Sequence, residues 1–225
     1  MLNHLSALLD QPDCGIWEQR GHRELFTQSR ALAWAAFDRV HRSAARMGLS
    51  APSEWAQRAS ALHKEIWARG YDADLASFTR AYGSHSLDAS CLLIGLVGFL
   101  PPRDPRLVGT LEAIRGRLSV GAFVWRYDTE IEQDGKAGGE GAFLACSFWL
   151  ADNLILIGRQ DEAAAIFEKV VGVANDVGLR SEEYDVSARR FLGNFPQALT
   201  HLALVHTAFN LMGDGPAHRR ADCDY

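Results

Sequence analysis

Cysteine is scarce in this chain: there are four in 225 residues, at positions 14, 91, 146 and 223. No two of them stand in a CxxC arrangement, so neither a disulfide framework nor a zinc ribbon is expected, and the scatter suits a reducing, cytoplasmic compartment. Basic charge is also in short supply. Lys and Arg number 23 against 28 Asp and Glu, a net charge of −5, which argues against a nucleic-acid partner, whose footprint is a basic patch. Long hydrophobic runs are missing. The longest, Cys91 to Pro102, contains Gly95 and Gly98 and is too short to span a bilayer, so no membrane association is expected. Residues 1–13, MLNHLSALLDQPD, have neither a basic n-region nor a small-residue cleavage site, and no signal peptide is expected. Metal motifs are lacking too. His201 and His206 stand at i and i+5, not at the i and i+4 of a zinc helix. No metal and no cofactor are expected.

What is present is helical periodicity at ordinary globular composition, 48% hydrophobic. Leu2, Leu5, Leu8 and Leu9 form one apolar face, and a loop marked by Pro12, Gly15 and Gly21 follows. The spacing predicts a helix over 27–47 with Gly48 as its stop, then one opened by Ser50 and Pro52 that ends near Gly70. Residues 76–82, ASFTRAY, are the best short-strand candidate. Asp88 reads as the N-cap of an apolar helix, ASCLLIGLVGFL, closed by Pro101-Pro102. Further helices are predicted over 105–118, 142–158 and 160–177, and from Pro196 to Met212. Between them lie a charged, glycine-rich loop at 119–141 and the SEEYD loop, and residues 213–225 form a tail expected to be disordered. Two kinds of helix alternate. One set is apolar and rich in small residues (31–45, 89–99, 142–158, 197–211), the other amphipathic (53–69, 105–118, 160–177). The alternation suits the inner and outer helices of an all-α toroid, the inner ones being covered on more sides. The glutamate-bearing loops, the 119–141 loop and the GNFPQ turn can then share one end.

Two loops carry a glutamate beside an aromatic: GIWEQRG at 15–21 and RSEEYD at 180–185. Glycoside hydrolysis needs such a pair, one carboxyl giving a proton to the leaving oxygen and the other staying ionised. Trp17 beside Glu18 offers the apolar neighbour that keeps an acid protonated, and Ser181 and Tyr184 stand where they could bond or orient a carboxylate. By residue type alone, both glutamates read first as solvated loop carboxylates, the usual state of an acidic residue in a loop. Trp34, Phe148 and Trp149 lie in apolar helices and read as core.

The blocks GIWEQRG, FTQSRALAWAAFDR, YGSHSLDASCLLIGLVGFLPPRDPR, WRYDTE, GGEGAFLACSFWLADNLILIGRQDEAAAIFE, GLRSEEYD and LGNFPQALTHLALV resemble, in order, the glucoamylase-type glycoside hydrolases of family 15, in their bacterial glucoamylase and trehalase branch. The resemblance runs from about residue 10 to 210. It implies a six-hairpin (α/α)6 toroid, of which residues 1–212 would form about seven or eight of the twelve helices, and inverting hydrolysis of α-glucosides such as maltooligosaccharides or trehalose. By the family's W-E and S-E-x-Y-D motifs, Glu18 would be the general acid and Glu182 the general base, with Glu183 its rival. Arg126 and Tyr127 match a sugar-binding R-Y pair, the alternative for Arg126 being a partner for Asp128 or Glu130. Trp17, Glu140, Glu183 and Tyr184 would line the substrate site.

The chain departs from the family pattern at Leu25, where His is usual, and at Arg30, where Lys is usual. No W-x-R-D stretch supplies the family's Arg-Asp clamp on the terminal glucose. The resemblance therefore implies the C-terminal portion of a catalytic domain, from a truncated or split reading frame, with apolar inner helices left for a separately encoded N-terminal half to cover. The alternative is a non-catalytic fragment acting at most as a binding module.

Overall fold

LACSFWLADNLIL, residues 144–156, offers no polar stripe, and such a helix must be covered all round. The computed structural model, which describes residues 1–18, 23–128 and 140–217, places this segment at the centre with every one of its residues buried. The helices are α1 (Leu2–Leu8), α2 (Thr27–Arg46), α3 (Ser53–Gly70), α4 (Leu92–Leu96), α5 (Pro105–Arg117), α6 (Leu144–Leu156), α7 (Gln160–Val171) and α8 (Ala198–Leu211). α6 packs on α4, α7 and α8, and α2 packs on α3. Each fully buried Leu, Ile or Phe of α6 contributes about 1.5–3 kcal/mol. Two polar residues fasten the central helix to its neighbours. Asn153 donates to the Leu92 carbonyl of α4 at 3.0 Å. Asp152 accepts from Asn210 at 2.8 Å and lies 3.1 Å from His206, both on α8. The outer helices bury one face each: Ala59, Leu62 and Ile66 of α3, Leu107, Leu111 and Ile114 of α5, and Ala163, Ile166 and Val170 of α7.

Several element boundaries differ from the periodicity reading, each for a local reason. α3 begins at Ser53 with Pro52 in the cap position, and no side chain caps it. Pro52 is extended (ψ 130°), so the helix cannot start before it, and Ser50 lies upstream of the free N–H groups. The 76–82 strand shrinks to β2 (Ser77–Phe78), paired with β1 (Tyr71–Asp72). Asp88 caps a 3-10 turn, Ala89–Cys91, with Ser90 N–H donating to it at 2.7 Å, and only then does the five-residue α4 follow. β3 (Ser119–Val120) and β4 (Phe123–Val124) make a hairpin within the expected 119–141 loop. Ala142 and Phe143 are not helical but form β5, which pairs with β6 (Glu183–Asp185), and β6 pairs with β7 (Arg190–Leu192). SEEYD is therefore half strand rather than loop, because tertiary pairing overrides helical spacing there. α7 ends at Val171, well short of residue 177. Within the expected tail, Ala217 is buried and its N–H donates to Asn210 at 3.0 Å; residues 218–225 lie outside the described ones.

The connections sort by direction. Those leading from an inner helix to the next outer one are short: 47–52, 97–104 and 157–159. Those leading from outer to inner are long: 9–26, 71–91, 118–143 and 172–197. The long connections are laced to one another in chain order. Thr27 N–H donates to the Arg80 carbonyl at 3.0 Å, Ala89 N–H to the Arg126 carbonyl at 2.7 Å, and Leu144 N–H to the Glu182 carbonyl at 3.1 Å. All four therefore meet at one end of the molecule.

Candidate active site

The first long connection ends its turn at Glu18, a non-glycine residue held at φ 50° with its N–H bonded to the Gly15 carbonyl at 3.2 Å. The Glu18 side chain is exposed. Trp17 turns the other way. Its ring lies edge-on to Phe143 at 5.2 Å and stacks on Trp149 at 6.0 Å. Its indole Nε1–H donates to both oxygens of Asp88, at 3.0 Å each. Trp17 thus grips the second connection instead of walling in Glu18. Asp88 is fully buried, and burial pushes its carboxyl up against the hydrogen bonds from Ser90 and Trp17 that pull it down. Arg30 is also buried, donating to Glu65 of α3 at 2.8 Å and to the Leu9 carbonyl. The guanidinium fork, where the family pattern has Lys, ties α2 to the neighbours behind the Glu18 turn.

The third connection brings Arg126, which is 6% exposed. Its guanidinium lies over the rings of Trp17, Tyr127 and Phe143, 5.4–5.5 Å from their centroids. It donates to Glu140 and, at 3.4 Å, to Glu183. Burial pulls the Arg126 pKa down, but Tyr127, Glu140 and Glu183 outweigh it and the net shift is upward. The cation stays charged. Its partners are Glu140 and Glu183; Glu130 lies outside the described residues. Tyr127 is 1% exposed and sits in the wall behind the arginine.

The fourth connection carries both rival glutamates, and they point to different partners. Glu183 is buried beside Arg126 and accepts the Gly141 N–H at 3.1 Å. A Cβ at Gly141 would come within 2.8 Å of the Tyr184 backbone, so only glycine lets that N–H so close. Burial raises the Glu183 carboxyl, with Glu140 and Glu182 adding to the rise and Gly141 and Arg126 opposing it. Glu182 is half-buried and faces the GNFPQ turn. Its Oε2 accepts Asn194 N–H at 3.2 Å and Asn194 Nδ2–H at 3.1 Å, and its Oε1 accepts Gln197 Nε2–H at 3.2 Å. Ser181 does not reach either carboxylate: it donates to the Glu183 carbonyl at 2.5 Å. Tyr184 stacks on Phe123 at 5.3 Å rather than standing open.

Trp17, Arg126, Glu140 and Glu183 thus form one contiguous cluster. Glu18 and Glu182 flank it, one residue after Trp17 and one before Glu183. Residue pattern alone missed the second role of Asp88 and the grip of Asn194 and Gln197 on Glu182. The only available signal was two amide side chains in a polar turn. Among the described residues, no group of His, Cys, Asp and Glu could hold a metal, and no helix is long and apolar enough to cross a membrane.

The family described as glycosyl hydrolases family 15 matches residues 1–209. The trehalase of Thermoplasma volcanium is 41% identical over 206 residues, covering 91% of this chain and 33% of the relative. The trehalase of Mycobacterium tuberculosis is 40% identical, covering 90% of this chain and 30% of the relative. The chain thus spans about a third of the length of these relatives. Among solved structures, a glycosidase variant in complex with glucose superposes with a TM-score of 0.80 at 22% identity, covering 96% of this chain and 59% of that one. The family 15 glucoamylase from Hypocrea jecorina superposes at 0.73 with 12% identity, covering 99% of this chain and 48% of that one. The fold is that of these glucoamylase-like enzymes.

Proposed function

The chain belongs to the family 15 glycosyl hydrolases, and from that premise we propose that it carries the acid and base of an inverting α-glucosidase acting on trehalose or maltooligosaccharides. Glu18 gives its proton to the glycosidic oxygen as the bond from that oxygen to the anomeric carbon breaks. Water attacks the anomeric carbon from the opposite face, and Glu182 takes the proton that water loses. The product is the sugar with inverted configuration, and no glycosyl-enzyme forms. Inversion calls for roughly 6.5–9.5 Å between the two carboxyls, room for that water. The observation that carries the reading is the division of labour on the fourth connection: Glu183 is tied up with Arg126, while among the described residues Glu182 is held by the neutral donors Asn194 and Gln197. Trp17, Arg126, Tyr127, Glu140 and Tyr184 form the substrate wall, directly or from behind. The unpaired, scattered cysteines Cys14, Cys91 and Cys146 favour a reducing, cytoplasmic setting.

A second reading concerns the partner, and α8 motivates it. This helix turns Thr200, Ala203, Thr207 and Asn210 inward onto α6. It leaves Leu199, Leu202, Val205 and Phe209 exposed, as is Met212 just past its end, with Leu202 at 69% and Met212 at 72%. Leu204 and Leu211 pack on the core only in part, so a fully buried face that is small and polar opposes an exposed face that is large and apolar, the inverse of a solvated surface helix. The stripe fits a helical family 15 polypeptide equivalent to the part of the relatives that this chain does not span. A general acid works in a dry site; Glu18 is exposed, and substrate or that polypeptide would cover it. The test is glucose release from trehalose and maltooligosaccharides, by the chain alone and with such a polypeptide. Glu18→Gln and Glu182→Gln should each abolish release, while Glu183→Gln should weaken it through Arg126. Full activity in Glu182→Gln would transfer the base role to Glu183 and sink the assignment.

A further inference from the structure

We propose that Gln197 is the positioning residue of the base, and that the water-activating atom is Oε1 of Glu182; the inference rests on the hydrolase reading above. An ionised carboxylate has about four acceptor sites, two on each oxygen. Asn194 N–H and Asn194 Nδ2–H occupy both sites of Oε2. Gln197 Nε2–H occupies one site of Oε1. Among the described residues no other donor meets Glu182, so the site left on Oε1 is the one that can accept a proton from water, and the direction in which it points is set by the bond from Gln197.

Gln197 is fixed from four directions. Its backbone N–H donates to Arg180 at 3.0 Å, and its carbonyl lies 2.8 Å from His201 Nδ1. Its side-chain oxygen accepts Leu199 N–H at 3.3 Å, the N-cap bond of α8. Because one end of the amide must accept from Leu199, the other must donate to Glu182, so the cap dictates the amide's orientation. One turn on, Thr200 Oγ1–H donates to the Ser181 carbonyl at 2.9 Å. The first turn of α8 and the 180–182 segment are therefore one rigid unit. The helix that bears the uncovered apolar stripe thus starts at the residue that aims the base, so a partner seated on α8 would act directly on Glu182.

Gln197→Glu separates the two duties of this side chain. It keeps the length and an oxygen for the Leu199 N–H, but replaces the donor facing Glu182 with a like charge. The measurement is carbodiimide labelling of the full chain, read on the tryptic peptide 181–189, where Glu183 and Asp185 serve as internal references. In Gln197→Glu, Glu182 should be labelled at least about threefold faster relative to Asp185, with a cooperative melting transition retained. Where glucose release is measurable, kcat should fall about tenfold with KM within about twofold, the mark of a group that acts in the transition state only. Gln197→Met, a neutral side chain of similar length without a donor, should give the same labelling gain and serves if the charged variant does not fold. Wild-type labelling of Glu182 in either folded variant overturns the proposal. Failure of the wild-type chain on every α-glucoside would count instead against the hydrolase reading, and the labelling would still decide the role of Gln197.

Discussion

Trp17 hands its single indole N–H to a carboxylate that is entirely out of water. Asp88 then serves three elements: it caps the 3-10 turn, holds Trp17, and stands in an isolated bridge with Tyr127. Because burial raises its pKa, the folded protein holds the Asp88 proton more tightly than the unfolded chain does. The resulting stability is complete below the ordinary carboxylate range, about 4, and is lost as pH climbs through the raised value. Asp88→Asn keeps an oxygen for Ser90 and Trp17 and removes the titration. Its stability relative to wild type should therefore improve as pH rises above about 4, read by urea unfolding at each pH. A difference that does not change with pH would show that Asp88 does not titrate on unfolding in that range. Trp17 and Glu18 illustrate how much of a site residue type conveys. The W-E pair marks the turn, but which way each side chain faces depends on Phe143, Trp149 and Asp88, all of them distant in sequence.

Secondary elements were legible where they are long and one-sided. α2, α5 and α8 lie close to their expected spans, although α2 buries Ala31, Trp34 and Phe37 and leaves Leu32 and Val40 exposed. Misreadings gather at β5 and β6, where Ala142 pairs with Tyr184 and Phe143 with Glu183, residues far apart in the chain. No local propensity encodes that pairing. The turn after β7 depends on Gly193, which sits at φ 70° and whose added Cβ would lie 2.7 Å from Glu182 Oε2. Gly193→Ala should therefore combine left-handed strain with displacement of the base. We expect a loss of at least about 1 kcal/mol in urea unfolding, together with faster labelling of Glu182. A variant as stable as wild type would mean that the turn relaxes without holding Glu182 in place.

At the scale of the whole molecule, the inverted polarity of α8 makes a prediction that α6, buried on all sides, does not. Leu202→Glu combined with Phe209→Glu should leave helix content and melting temperature intact, since both side chains are exposed. The same pair should abolish association with a family 15 polypeptide carrying the remainder of the domain, measured by size-exclusion chromatography with light scattering. Undiminished association in the double variant would move the interface off α8. Sequence by itself determined the family, the helical class, the alternation of inner and outer helices and the two candidate carboxylates, because apolar periodicity and short motifs are local properties of the chain. Tertiary structure alone decided which groups those carboxylates meet. The long outer-to-inner connections are laced together at one end by backbone bonds between residues far apart in sequence. Only that lacing sets Arg126 between Glu140 and Glu183, Trp17 on Asp88, and Glu182 against Asn194 and Gln197.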